Sequence, residues 1–305
     1  MVRVRLSGRV NQAFRAHAGP AYREATGVAR AAGGAAMTGA RLGVMPPLPP
    51  ARHLHRRSLP SPFPLDEPNC HLLSCVRHDL WHGVYALGLE SSDEVLVPAY
   101  HYGSKVQALL EAGLRCGFCE ATETLEPDED ELERLHGGRL LALYLAHFLG
   151  FPEDARRWRA WFDKHGLILI EDAAQAWLSE RDGHPVGSFE DCFIYGLYKT
   201  YGLPDGGELL TTQPPARSTS KSGSSAAVLA RRHGARCEQR WGWLAALRRG
   251  DGRTPYDPVE DFALGEPDAA PAPATLRLVA RLDAKAALRQ RSSPSAAGGD
   301  HWRAG

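Results

Sequence analysis

The sequence predicts an α/β protein of three layers, in which a mostly parallel sheet is covered on both faces by helices. Helix-like and strand-like segments alternate between Asp66 and Thr212, as expected of successive βα units. The stretch from Leu167 to Ile170 is apolar at every position, which is typical of a strand buried on both faces of a parallel sheet. These two observations place the fold in the middle of the chain.

The predicted elements follow one another with short connections. Helical periodicity and short apolar runs predict, in chain order, a helix over 77–87, a strand over 94–98, a helix over 105–112, a strand over 114–119, a helix over 128–135, a strand over 140–146, a helix over 154–165 and a strand over 167–170. A last helix is expected over 275–291.

Composition divides the chain into three parts. Residues 1–64 are basic, with Glu24 as their one acidic residue, and predict a disordered leader, either a transit peptide or an upstream extension of a protein that starts near Met45. Residues 65–213 form the predicted large domain. Residues 214–305 are rich in Ala, Arg, Ser, Pro and Gly, and predict a linker followed by a rudimentary or truncated C-terminal region.

Bulk properties exclude several classes of partner. Lys and Arg total 36, as do Asp and Glu, so overall charge gives no reason to expect nucleic acid or an anionic membrane as a partner. No run of eighteen apolar residues occurs, which argues against a membrane-spanning helix. The six cysteines are scattered, as in reduced cytoplasmic proteins. We therefore expect a cytoplasmic protein without disulfides.

Polar side chains follow several of the predicted strands. Asp172 comes after the strand that ends at Ile170, His147 after the strand that ends at Ala146, and residues 100–102 after the strand over 94–98. In open α/β sheets ligands bind outside the carboxyl ends of the strands. The sequence therefore predicts a ligand site that brings these side chains together.

The segments ILIEDAAQAW, over 168–177, and GHPVGSFEDCFIYGLYKTYGLPDGGELLTT, over 183–212, carry a resemblance. With DEVLVPAYHYGSKVQALLEAGL and AHFLGFP, they resemble the DegT/DnrJ/EryC1/StrS family of pyridoxal 5′-phosphate (PLP) dependent aminotransferases. The resemblance covers about residues 60–212. It implies the large domain of the aspartate aminotransferase fold, with the small C-terminal domain truncated.

The resemblance also implies two catalytic residues. Lys199 would carry the cofactor covalently and move the substrate proton, which requires an unprotonated amine. Asp172 would keep the pyridine nitrogen protonated, so that the ring can accept electrons. Four further residues would bind the cofactor: Gln175 near its phenolic oxygen, Tyr102 (or His101) stacked on the ring, Arg77 as a phosphate clamp at a helix N-terminus, and His147 close to the site.

The chain departs from the family pattern at the phosphate. Members commonly carry a serine a few residues before the lysine, where this sequence has residues 194–198 as IYGLY. The usual Gly-Thr pair of the first helix is Val76-Arg77. These departures predict altered or weakened phosphate binding.

The function implied is transfer of an amino group from an amino acid, with glutamate as the expected donor, to a keto group such as one on a nucleotide-linked sugar. A homodimer is implied as well, because the family builds its sites between subunits. Two alternatives stay open: a catalytically degenerate or truncated relative without activity, and a zinc metallopeptidase. In the latter, His78 and His82 of HDLWH would be metal ligands on one helix face.

Overall fold

The computed structural model describes residues 61–101, 103–137, 139–189, 191–215, 222–230 and 264–282. Within these ranges the chain forms one seven-stranded sheet, a two-stranded hairpin and the helices that cover the sheet. None of the helices in these ranges is long and apolar enough to cross a membrane.

The elements, in chain order, are β1 Cys70–Leu73, α1 Val76–Ala86, β2 Glu94–Pro98, α2 Ser104–Glu111, β3 Arg115–Cys119, α3 Glu129–Leu135, β4 Leu140–Ala146, a 3-10 turn Phe148–Gly150, α4 Ala155–His165, β5 Ile168–Asp172, β6 Glu180–Arg181, β7 His184–Pro185, β8 Cys192–Gly196, α5 Leu197–Thr200, β9 Gly207–Thr211 and α6 Pro273–Val279.

The large sheet has the strand order β1-β9-β8-β5-β4-β2-β3. Strands β8, β5, β4, β2 and β3 are parallel to their neighbours in that series. Strand β9 is antiparallel to both β8 and β1. The prediction of a mostly parallel sheet is therefore confirmed, with one reversed strand that the sequence did not indicate.

Helix α4 shows why the local sequence forms these elements. Asp154 caps the N-terminus by accepting a hydrogen bond from Arg157 N at 2.9 Å, which satisfies one of the free amide groups of the first turn. Gly166 ends the helix in the left-handed conformation, where a residue without Cβ is favoured. Trp158 and Phe162, one turn apart, are buried against the sheet.

Alternate residues of the central strands pack on opposite faces, which gives the three layers. On β4, Tyr144 joins the apolar cluster that contains α1 and α2 side chains. Its neighbours Leu143 and Leu145 join the cluster formed with Trp158 of α4. This alternation is the period of two expected of a strand, and it confirms the three-layer α/β prediction.

The structure differs from the sequence prediction in a few elements. Strands β1, β8 and β9 were not predicted as strands, although β8 and β9 flank Lys199. The last helix begins at Pro273 and ends at Val279, so its predicted continuation is wrong at 280–282; residues 283–291 lie outside the described residues. The predicted leader, residues 1–64, is described only from residue 61 onward.

Candidate active site

Four strands present their carboxyl ends side by side at one edge of the sheet. In the order β8, β5, β4 and β2 they are direct neighbours. Asp172 is the last residue of β5 and Tyr144 lies near the end of β4. Lys199 follows β8 in the short helix α5, and Lys105 follows β2 in the first turn of α2. The topology thus gathers one carboxylate, one phenol and two amines.

Asp172 is the centre of this group. Its side chain is 8% exposed, and Oδ2 accepts a hydrogen bond from Lys105 Nζ at 2.6 Å. The Tyr144 hydroxyl also donates to Oδ2, while the backbone N–H of Ala174 donates to Oδ1 at 2.7 Å. Both carboxylate oxygens are therefore held in fixed positions.

These contacts keep Asp172 ionised. Burial alone would raise its pKa, but the charge and hydrogen bond of Lys105, with the bonds from Tyr144 and Ala174, outweigh it and lower the pKa below its usual value. Burial and then the neighbouring Asp172 charge raise the pKa of Tyr144 well above its usual value. The phenol therefore remains a hydrogen-bond donor to a permanent carboxylate.

Lys199 has the properties of a reactive amine. Burial lowers its pKa, and the positive charge of Lys105 lowers it further, with Asp172 opposing both. A buried amine beside a second cation is more readily deprotonated than a free lysine. Lys199 follows β8 and Asp172 ends the neighbouring strand β5, so these two predicted residues lie at the same sheet edge, and their catalytic roles stay predictions.

The N-terminus of α1 contributes a second group of polar side chains. The Ser74 hydroxyl lies 2.8 Å from Nδ1 of His78. Burial would raise the pKa of the Cys75 thiol, but the hydrogen bond and charge of the nearby His78, followed by the charge of Arg77, lower it to about 7. Arg77 is half-buried in the first turn of α1, so its charge lies near the helix N-terminus, as predicted.

Gln175 and His147 lie in the turns that follow β5 and β4. The side chain of Gln175 is exposed, and its Oε1 accepts a hydrogen bond from Leu149 N at 2.9 Å. His147 is buried, with Nε2 2.5 Å from Oε1 of Glu171 and Nδ1 accepting from Glu153 N at 2.8 Å. Both ring nitrogens of His147 thus already bind the protein, and its contact with a cofactor stays a prediction.

The predicted stacking residue cannot be located, because Tyr102 lies outside the described residues. Its neighbour His101, the alternative for that role, stacks on the ring of Phe118 with centroids 5.7 Å apart.

The two histidines of HDLWH bind other residues of the described chain. His78 Nε2 lies 2.7 Å from Leu264 O, and His82 Nε2 lies 3.2 Å from Pro267 O and 3.3 Å from Asp268 Oδ1. Within the part of the chain that the structure describes, no three His, Cys, Asp or Glu side chains are grouped as metal ligands. The two imidazoles instead connect α1 to residues 264–268 by hydrogen bonds. The described residues therefore give no support to the zinc peptidase interpretation.

Two buried carboxyls, Asp79 and Glu208, lie near the site. Neither of them has a hydrogen-bond partner for either oxygen within the described part of the chain, and neither side chain is exposed. Burial, followed by the charge of Cys75, raises the pKa of Asp79 well above its usual value, with Lys105 opposing and Asp172 adding to the rise. Burial and the charge of Asp79 do the same for Glu208.

Comparison with known proteins identifies the relatives of this chain. The family model of the DegT/DnrJ/EryC1/StrS aminotransferase family matches residues 78–242. The chain belongs to this family. The matched residues begin in α1 and include the strands that carry Asp172 and precede Lys199.

Two curated relatives illustrate the similarity. GDP-perosamine synthase of Vibrio cholerae is 31% identical over 129 residues, which are 41% of this chain and 35% of that protein. The erythromycin biosynthesis sensory transduction protein EryC1 of Saccharopolyspora erythraea is 35% identical over 135 residues, 42% of this chain and 36% of that protein. The chain spans about a third of the length of the curated relatives it matches.

Solved structures of family members align with part of the chain. DesV of S. venezuelae, in complex with a ketimine intermediate, has a TM-score of 0.45 and 26% identity over 62% of this chain and 45% of that chain. Helicobacter pylori PseC has a TM-score of 0.44 and 21% identity over 47% of this chain and 40% of that chain.

Sequence reasoning missed Lys105 and Tyr144. Lys105 could have been found by the rule that selected Asp172, because it opens the element that follows a strand at the same sheet edge. A lone lysine at the start of a helix is usually a solvated residue, so the sequence alone does not distinguish Lys105 from a surface lysine. Tyr144 lies inside an apolar strand, where only the three-dimensional structure reveals the direction of its hydroxyl.

Proposed function

We propose that this protein is a PLP-dependent aminotransferase that transfers an amino group from an amino acid, with glutamate as the expected donor, to a keto group on a nucleotide-linked sugar. One observation carries the proposal: Lys199, a partly buried lysine whose pKa is lowered, lies at the same sheet edge as Asp172, a buried carboxylate that Lys105 binds at 2.6 Å. Family membership and relatives such as GDP-perosamine synthase support the substrate class.

The donor set fits the ring end of such a cofactor. Asp172 stays negative at neutral pH and already binds a cation, the Lys105 ammonium, so it suits a protonated pyridine nitrogen. The lowered pKa of Lys199 favours the neutral amine that a covalent bond to the aldehyde carbon of the cofactor would require. When bound, the cofactor would supply the electron sink for the substrate Cα–H bond.

The residues available to bind the phosphate group of the cofactor are a less complete set. Residues 194–198, where relatives of the family commonly have a serine, are IYGLY, and Ile194 is an apolar core residue with no exposed surface. The groups that remain are the Ser74 hydroxyl, the Arg77 guanidinium and the N-terminus of the eleven-residue α1, where an anion is favoured. We therefore propose Ser74 and Arg77 as phosphate ligands, with weaker retention than a complete set would give.

Each of four residues has a separate proposed role at the reacting centre. Lys199 would hold the cofactor and then carry a proton at its Nζ, which its lowered pKa favours. Asp172, fixed by Tyr144 and Ala174, would orient the ring and maintain its charge. Gln175 is proposed beside the phenolic oxygen; its side chain would first leave the amide of Leu149. His147 is proposed as a positioning residue for the turn after β4.

An absorbance titration with PLP tests this proposal. The wild-type protein should develop a band at about 400 to 430 nm that borohydride removes, and Lys199→Ala should lack it. Lys164→Ala, which alters an exposed lysine in the last turn of α4, is the matched control and should keep the band. A shift of the band on addition of L-glutamate would support the amino-donor half of the reaction.

The same titration decides between activity and degeneracy. If the folded wild-type protein forms no Lys199-dependent band at any PLP concentration, the chain is a non-catalytic relative of the family. The altered phosphate site, with no serine among residues 194–198, is the specific observation that favours this second possibility.

We further propose a cytoplasmic homodimer. Large apolar side chains are exposed at the site edge: Tyr100 is 64% exposed, Leu149 74% and Phe151 73%. Tyr100 follows β2 and the other two follow β4, so the apolar surface adjoins Asp172, as an interface that completes the site would. Light scattering on the purified protein should give twice the chain mass; a monomer would contradict the proposal.

A further inference from the structure

Lys105 is the most specific feature of the site that the proposed function does not use. Its ammonium lies 2.6 Å from Oδ2 of Asp172, with the lysine side chain 21% exposed and the aspartate side chain 8% exposed. An ion pair at this depth is a defined structural contact, because a buried charge needs a partner in a fixed position. Lys105 thus binds the carboxylate that the proposed function assigns to a pyridine nitrogen.

The carboxylate has little capacity left for another donor. Oδ1 accepts from Ala174 N and Oδ2 accepts from the Tyr144 hydroxyl and from Lys105. The first of these donors is a backbone amide, and Tyr144 is a buried residue of the central strand β4. Lys105, on a flexible four-carbon stem and partly exposed, is the donor that can leave.

Charge balance leads to the same residue. Asp172 and Lys105 form a neutral pair, and the nearby Asp79 adds no charge while burial keeps its pKa raised. A pyridinium bound beside Lys105 would place two cations on one carboxylate, with Lys199 close by. In a site of low dielectric that repulsion is large, so a cationic ring and the Lys105 ammonium exclude each other.

We infer that Lys105 is an internal counter-ion of the cofactor-free site, which keeps Asp172 ionised and oriented and which a pyridoxine-type ring must displace to reach this carboxylate. The inference rests on the proposed function for the identity of the ring. It makes Lys105 a positioning residue that preforms the site while weakening ligand binding. Ligand binding must therefore offset the free energy that is lost when the ion pair between Lys105 and Asp172 breaks.

Pyridoxine 5′-phosphate is the probe that isolates this effect. It carries the ring and the phosphate without the aldehyde, so its affinity does not depend on covalent attachment to Lys199. Isothermal titration calorimetry of the wild-type protein, Lys105→Met and the exposed-site control Lys164→Met measures the affinity directly. Lys105→Gln, which keeps a hydrogen-bond donor without the charge, is a second variant that retains a contact to Asp172.

Lys105→Met should bind pyridoxine 5′-phosphate about tenfold more tightly than the wild-type protein, the gain expected when one charge-assisted hydrogen bond no longer has to be broken. Lys105→Gln should show a smaller gain, and Lys164→Met none. Without ligand, Lys105→Met should unfold at a temperature lower by about 5 °C, because Asp172 loses its partner.

The outcomes separate this inference from the proposed function. Equal or weaker binding by Lys105→Met and Lys105→Gln would overturn the inference, even if PLP still forms a Lys199-dependent band. Tighter binding by either variant, with no such band in any of them, would support the counter-ion and reject the aminotransferase. If Lys105→Met fails to fold, the affinity of Lys105→Gln alone decides.

Discussion

The buried carboxyl of Asp79 should make the stability of this protein fall as the pH rises. Asp79 is fully buried, both of its oxygens lack hydrogen-bond partners, and burial raises its pKa well above the usual value. The folded state therefore holds a proton on Asp79 that the unfolded chain releases. Replacing Asp79 with Asn removes this difference while preserving the shape of the side chain.

The sign and the size of the effect follow from proton linkage. Between the unfolded-state pKa of about 3.9 and the raised folded-state pKa, the folded state binds one more proton than the unfolded state. The free energy of unfolding then decreases by about 1.4 kcal/mol for each pH unit. The contribution of Asp79 is fully favourable below the lower pKa and is lost as the pH rises toward the upper one.

Urea unfolding, followed by tryptophan fluorescence at several pH values above the unfolded-state pKa of about 3.9, measures this slope. The free energy of wild type minus that of Asp79→Asn should decrease by about 1.4 kcal/mol per pH unit. Asp182→Asn, an exposed carboxyl in the turn between β6 and β7, should give a curve parallel to wild type. Parallel curves for Asp79→Asn would refute the reasoning. Glu208→Gln should reproduce the effect, because Glu208 has the same burial and shift.

Two further predictions test the surroundings of the site. Iodoacetamide at about pH 7 should label Cys75 before Cys119 in the folded protein. The reason is that the pKa of Cys75 is lowered to about 7, while burial raises the pKa of Cys119 to about 12. Peptide mass spectrometry measures the order of labelling, and equal labelling would contradict the prediction. His147→Ala should lower the free energy of unfolding by about 3 to 5 kcal/mol, since Glu171 would lose its contact with the buried His147 ring. Urea unfolding measures this change, and a decrease below about 1 kcal/mol would contradict the prediction.

The sequence predicted the elements whose burial follows a simple period. Strand β4 and helix α4 lie where apolar spacing placed them, and the caps Asp128 and Asp154 stand at the predicted helix starts. Strand β9 was missed because it contains Glu208 at a fully buried position. A charged residue inside a short strand reads as a solvated one when only the sequence is available.

The site could be predicted only in part, for a related reason. Asp172 and Lys199 were identified because several motifs in a fixed order accompany them. The contact between Lys105 and Asp172 joins residues 67 positions apart, and no local pattern encodes such a distant pairing. Sequence periodicity reports which face of an element is buried; it does not report which polar groups from separate elements meet.

The pairing of β1 with β9 also governs the order in which the sheet can form. Cys70 pairs with Leu210 and Leu73 with Gly207, so the first strand of the sheet finds its partner only at the far end of the domain. During synthesis β1 can pair with β9 only after nearly the whole domain has left the ribosome. In refolding, the loop between these two strands closes at a high entropic cost. Because β9 also pairs with β8, the segment that carries Lys199 joins two neighbouring strands, and β1 completes the sheet on the other side of β9.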